Sequence, residues 1–150
     1  MRIEHDFDVP RLIGWAAGYL EANRIPKPRL NAERLLSHCT GRDRVHLYAY
    51  PEETVSEEEN QSFVAAVMRR ASREPLQYIV GLKGFRRLDL AVDRRVLIPR
   101  PETEMMVERA LDLLNHIPGH PVAVDIGTGS GCIALSLSRE YPAAVVHATD

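Results

Sequence analysis

Two cysteines, Cys39 and Cys132, are all that the sequence contains, too few for a disulfide framework and without the spacing of zinc ligands. Cys132 falls at the start of a predicted helix, where a thiolate is favoured, although a small buried side chain is the simpler reading. The six histidines show no ligand spacing either, so no metal is expected. No apolar run approaches the ~18 residues of a membrane span, and the first thirty residues carry acids and lack the apolar core of a signal peptide. A surplus of one charge is missing as well. Residues 1–75 hold 11 Lys+Arg against 12 Asp+Glu, residues 76–150 hold 8 against 9, and the formal net charge is −2. Binding to a phosphate backbone would need a basic excess. These absences point to a cytoplasmic protein without direct nucleic-acid, membrane or metal partners.

What is present is ordinary for a soluble fold: 150 residues, 45% hydrophobic and 27% charged. Residues 1–75 read as helices. Asp8 and Pro10 open the first, and Leu12, Ile13, Ala16, Tyr19 and Leu20 recur at helical spacing. Trp15 and Tyr19 share one face and are expected in the core. "KPRLNAERLLSHCTG" predicts a second helix with Leu30, Leu35, Leu36 and Cys39 inward and Gly41 as its C-terminal cap. "RDRVHLYAY" predicts a short third, closed by Pro51. In "SEEENQSFVAAVMRRASREP" Ser56 and Glu59 form a capping box, three acids occupy the first turn, and Phe63, Val64, Val67, Met68 and Ala71 make the apolar stripe.

Near Pro75 the period changes to alternation. "LQYIVGLKGFRRLDLAVDRRVLIP" predicts a β-hairpin with Phe85, Leu88, Leu90 and Val92 on one face and Gly81 and Gly84 at a turn. Lys83, Arg86, Arg87, Arg94, Arg95 and Arg100 read as the solvated face of that hairpin, or as a patch for an acidic partner. A helix returns at Pro101 with Met106, Val107, Ala110, Leu111 and Leu114 inward. Strand "PVAVDIG", helix "GCIALSLSREY" and strand "AAVVHATD" then make a βαβ unit, which implies a parallel sheet. No repeat or low-complexity segment interrupts the order.

The chemistry gathers in "VDIGTGSG", residues 124–131. Asp125 ends the first strand, Gly127, Gly129 and Gly131 alternate with Thr128 and Ser130, and Asp150 ends the second strand. A loop between strand and helix offers backbone N–H groups to a ligand, and glycines let that ligand approach closely. An acid about 20 residues beyond such a loop accepts hydrogen bonds from ribose hydroxyls; Asp150 follows Gly131 by 19 (150 − 131). A P-loop would need Gly-Lys-Ser/Thr, and there is no lysine. A dinucleotide fingerprint fails when counted from Gly127 and passes weakly from Gly129 through Ala134, but Asp125 faces a pyrophosphate unfavourably. An acid at that point suits a ligand with a positive ammonium and sulfonium. Acid-x-G-x-G-x-G with a second strand ending in an acid is the pattern of a class I methyltransferase using S-adenosylmethionine. The plain alternative is a tight strand-to-helix turn, with Asp150 as the cap of a following helix.

Ahead of this loop stands "VLIPRPETEMMVERAL", residues 96–111. The pair closely resembles the HemK/PrmC family of protein-(glutamine-N5) methyltransferases, which act on the Gly-Gly-Gln loop of peptide-chain release factors. The resemblance covers essentially the whole chain, and "IPRPETE" is its specific part. It implies a release-factor-docking helical domain over 1–74, a β-hairpin linker over 75–99, and the N-terminal part of an S-adenosylmethionine-binding domain over 100–150. The fold implied is α plus α/β: a helical bundle, the hairpin, then the first half of a Rossmann-like class I sheet, truncated. Carried over, Gly127, Thr128, Gly129, Ser130 and Gly131 line the methionine moiety, Asp125 sits near its amino group and Asp150 holds the ribose. Arg100, Pro101, Glu102, Thr103 and Glu104 border the pocket, unless Arg100 and Glu104 are only a helix-start ion pair.

The family's active-site Asn-Pro-Pro-Tyr is absent, since none of Asn23, Asn31, Asn60 and Asn115 precedes a proline. No catalytic residue is therefore assigned in this chain. Two buried parallel strands would also leave apolar surface and unpaired backbone uncovered. The expectation is an N-terminal fragment of an S-adenosylmethionine-dependent protein-glutamine N-methyltransferase, inactive alone. A protein-docking module without catalysis is the alternative, and a nicotinamide oxidoreductase is disfavoured by Asp125.

Overall fold

The computed structural model describes residues 8–150. The chain divides into two compact units, one ending at Val80 and the other starting at Gly81. The first unit is helical: α1 (Val9–Ala22), α2 (Pro28–Thr40), α3 (Arg44–Ala49), α4 (Glu57–Ala71) and α5 (Leu76–Val80). The second holds an antiparallel hairpin, β1 (Leu82–Phe85) and β2 (Leu88–Ala91), then α6 (Pro101–Leu114), β3 (Val122–Ile126), α7 (Cys132–Glu140) and β4 (Val145–Thr149).

The local signals act where the residue types place them. Asp8 caps α1 by accepting from the Arg11 N–H at 2.8 Å, and Asp43 does the same for α3 from His46 at 2.7 Å. At α4 the reciprocal box forms: Ser56 Oγ accepts from Glu59 N and Glu59 Oε2 accepts from Ser56 N. Gly41 takes the left-handed C-cap of α2. Leu12, Ile13, Ala16 and Leu20 of α1 pack with Leu35 and Leu36 of α2 and Phe63 and Val67 of α4 into one apolar core.

Five predicted core positions lie outside it: Leu30 and Val64 are half-buried, and Trp15, Tyr19 and Met68 are exposed. Trp15 and Tyr19 are 44% and 40% exposed; they stack on each other at 5.9 Å, and the edge of Trp15 meets the buried Phe63 at 6.3 Å. Met68 is exposed, and Ala66 takes a buried place in α4. The cause is the 100° step of a helix. One residue past Val67 is already off the stripe, and Trp15 and Tyr19 fall along its flank. Met106 beside Val107 in α6 is exposed for the same reason.

The core of this unit also holds a carboxylate that its apolar pattern does not announce. Glu33 is 3% exposed. It accepts hydrogen bonds from Arg44 at 2.7 and 3.1 Å, from Arg29 at 3.2 Å and from the Tyr48 hydroxyl. Burial pushes this carboxyl up, but the bonds from Tyr48 and Arg44 and the charges of Arg44 and Arg29 outweigh it and hold the group below the usual range. A lowered folded value means stability that is complete above the unfolded value of about 4.3 and lost as pH falls through the folded one. The urea midpoint of this unit is therefore expected to drop below pH 4.5, and the drop should be shallower in Glu33→Gln. Equal pH slopes for the two proteins would refute it.

In the second unit the hairpin faces are as predicted, with Phe85, Leu90 and Val92 buried. Two details differ. Residues 76–80 form a helical turn, because the Pro75 carbonyl accepts from Tyr78 N and Ile79 N at 3.0 and 3.2 Å. The hairpin turn lies at Arg86–Arg87, closed by the Phe85–Leu88 pair, with Gly84 inside β1 opposite Asp89 and Gly81 ahead of it. Strands β3 and β4 are parallel, joined through α7, with Val122 opposite Val145 and Ile126 opposite Thr149. Alternate residues leave one face apolar and open: Val122, Val124 and Ile126 are all more than half exposed, Ile126 at 81%. Among the described residues, no helix is long and apolar enough to cross a membrane.

Candidate functional site

β3 delivers its last residues to the glycine loop. Gly127, Gly129 and Gly131 all have left-handed φ, at 77°, 53° and 75°, a conformation that a side chain would strain. A Cβ at Gly127 or Gly129 would meet nothing within 4 Å, so their backbone is open to a ligand. At Gly131 it would press on Leu135 Cδ1 at 3.2 Å, so that glycine also serves the packing of α7.

Both acids hold the loop. Asp125 Oδ2 accepts from Thr128 Oγ1 at 2.7 Å and from Ala134 N at 3.2 Å, tying the loop to the first turn of α7. A carboxylate there also suits the positive end of the helix. Asp150 Oδ2 accepts from Gly129 N at 2.9 Å, and the Thr149 carbonyl just before it accepts from Gly127 N and Thr128 N at 2.8 and 3.1 Å. The end of β4 is thus stitched to the loop that follows β3. In each acid Oδ1 has no partner among the described residues. What results is a glycine turn with exposed backbone and two carboxylate oxygens able to accept from a cationic or hydroxyl-bearing ligand.

Residues 100–104 form the start of α6. Arg100 is the N-cap of α6, with Pro101 in its first turn. The Glu104 side chain and carbonyl receive the Arg86 backbone N–H at 3.3 Å and Arg86 Nη1 at 3.2 Å. Arg86 in turn grips Glu140 with two bonds, at 2.7 and 2.9 Å, and reaches Glu108 at 3.3 Å. Glu140 is the last residue of α7, about 13 Å along the helix from its glycine-loop end. No bond joins residues 100–104 to the loop or to Asp150 among the described residues, and Glu104 engages Arg86 rather than Arg100. Arg86 was grouped above with a solvated basic face. Its side chain is instead 15% exposed, consumed inside the unit, and held with φ of 49° at the hairpin turn. The one hint in the sequence is an arginine in a tight turn with acids on both following helices. Arg95 is also engaged, by Asp93 two residues away.

Residues 11–81 match the family model described as the PrmC N-terminal domain. Over nearly its whole length the chain is similar to proteins named release factor glutamine methyltransferase. That of Koribacter versatilis is 44% identical over 135 residues, 90% of this chain and 48% of the relative. That of Geobacter sulfurreducens is 43% identical over 138 residues, 92% and 48%. The chain belongs to the HemK/PrmC family. The Chlorobaculum tepidum protein, 39% identical over 98% of this chain, is matched over 51% of its own length. The chain spans about half the length of the curated relatives it matches.

Proposed function

We propose that this chain is the cofactor-loop and docking part of an S-adenosylmethionine-dependent enzyme that N5-methylates the glutamine of the Gly-Gly-Gln loop in peptide-chain release factors. The observation that carries the reading is the Asp150–Gly129 bond. It sets an acid with a spare oxygen at the tip of the second strand beside an open glycine backbone, as an adenosine-bearing ligand requires. The polar groups fit the cofactor: one carboxylate for an ammonium, one for ribose hydroxyls, and no lysine for a polyphosphate.

In this reading the Gly127–Gly131 loop, with Thr128 and Ser130, lines the methionine moiety. Asp125 Oδ1 stands near its ammonium, Asp150 Oδ1 accepts from the ribose hydroxyls, and Arg100–Glu104 border the pocket. When bound, the cofactor supplies a methyl group activated on a sulfonium. The chain's residues bind and orient. No residue here takes the place of the Asn-Pro-Pro-Tyr that would hold the glutamine amide, so this chain alone is expected to be inactive. Residues 1–74 would dock the release factor and 75–99 link the two parts, in the cytoplasm.

Calorimetric titration with S-adenosylhomocysteine tests this. Asp150→Ala is expected to weaken binding at least tenfold, about 1.4 kcal/mol, with thermal stability little changed. Unchanged affinity, or tighter binding of NADH than of S-adenosylhomocysteine, would overturn it.

A further inference from the structure

A solvent-open recess of about 470 Å³ lies on the helical unit, at the start of α2 and around the end of α4 and the start of α5. Pro26, Leu30 and Leu76 supply apolar wall, and Lys27, Arg70 and Arg73 bring three cations to it. None of the three has a carboxylate partner among the described residues. The ion pairs of this unit engage Arg11, Arg29, Arg42, Arg44 and Arg69 instead.

Arg70 is held in place by neutral groups. Its Nε donates to Asn31 Oδ1 at 2.8 Å and its Nη1 to the Glu74 carbonyl at 2.9 Å, leaving Nη2 without an acceptor among the described residues. Asn31 is itself 7% exposed and locked, its Nδ2 donating to the carbonyls of Pro26 and Lys27 at 3.0 and 2.9 Å. The Glu74 carboxylate is turned to Arg69, with which it makes two bonds of 2.8 Å. Burial, and then the like charge of Arg73, lower the Arg70 guanidinium from its ordinary pKa, as expected of a cation without compensation. α2 begins at the same recess with Lys27 as an N-cap that offers no side-chain acceptor, so the positive helix end adds to the field.

We propose that this recess binds one carboxylate on an apolar stem, an Asp or Glu side chain of a protein partner. A polyanion would ask for a basic surface, and this unit has none: 11 Lys+Arg against 12 Asp+Glu over residues 1–75. One fixed guanidinium with free donors, two flexible cations beside it and apolar wall fit a single carboxylate and its methylenes. The open shape admits a side chain while its backbone stays outside. The inference rests on the docking reading only in choosing a protein as carrier. The probe below contains no release-factor sequence, so its failure would leave that reading standing.

The test is an NMR titration of the ¹⁵N-labelled chain with acetyl-Ala-Glu-Ala-amide, following Arg70 Nε–H and the amides around it. Saturable shifts in the millimolar range are expected, with the Gln analogue at least tenfold weaker. Lys27→Gly and Arg73→Gly remove charge at positions whose φ, 52° and 70°, glycine tolerates better. Each should weaken binding several-fold without lowering thermal stability, and the double variant should abolish it. Equal binding of the Gln peptide, or full affinity in the double variant, would overturn the proposal. So would saturation by inorganic phosphate at lower concentration than by the Glu peptide, which would make the recess a phosphate site.

Discussion

Phe63→Ala is expected to destabilise the helical unit by about 3–5 kcal/mol, the cost of deleting a buried aromatic ring and leaving a cavity. Phe63 is fully buried on α4, in the cluster that α1 and α2 share, and its helix is well capped, so the loss is one of packing rather than of local helix formation. The chain has a single tryptophan, and Trp15 sits edge-on to the Phe63 ring. Its fluorescence therefore reports both the lost contact and the unfolding transition. Urea titration should show a lower midpoint at nearly unchanged slope. A shift equivalent to less than 1 kcal/mol would mean that the α1–α4 contact is not the centre of this core.

The second large effect is expected at Arg86. Arg86→Met removes the four hydrogen bonds made by its side chain, to Glu140, Glu104 and Glu108 through Nε, Nη1 and Nη2, together with the contacts they stabilise at the hairpin turn. Glu140 is left with its side chain 10% exposed and no ion-pair partner among the described residues, with only the more distant charges of Arg87 and Arg139 acting on it. Breaking a mostly buried pair from one side costs more than the pair is worth, and about 2–4 kcal/mol is expected for the second unit. In Arg86→Met/Glu140→Leu the orphaned acid is gone, so part of that loss should return. Coupling of about 1–3 kcal/mol in the double-mutant cycle is the expected reading, and coupling near zero would show the pair to be incidental. Because Arg86 also holds the start of α6 through Glu104, hydrogen exchange of amides 101–106 should quicken in the single variant.

The contrast between these residues shows where the sequence was informative. The capping box of Ser56 and Glu59, the cap at Asp8 and the αL position of Gly41 are arrangements among residues at most four apart, and their residue types announce them. The βαβ order was legible because strand and helix periods differ over short windows, and the loop was legible because three left-handed positions call for three glycines. Arg86 looked like a solvated hairpin charge because its acceptors, Glu104, Glu108 and Glu140, lie 18 to 54 residues away. Glu33 gave as little warning: Arg29 is one helical turn off, but Arg44 and Tyr48 arrive only when α3 folds back.

By itself, then, the sequence determined the order of elements, their caps and most of their buried faces, and the glycine loop with its two acids. These rest on backbone preferences and periodicity, which act within a few residues. Tertiary structure decided which charges are buried and which aromatics are not. It directed Asp125 and Asp150 onto the loop through one oxygen each, and left Arg70 held by Asn31 without a counter-charge among the described residues. The reason is that a polar group's burial depends on partners brought near by the chain's path, and pairwise attraction between groups far apart in sequence leaves no period to read.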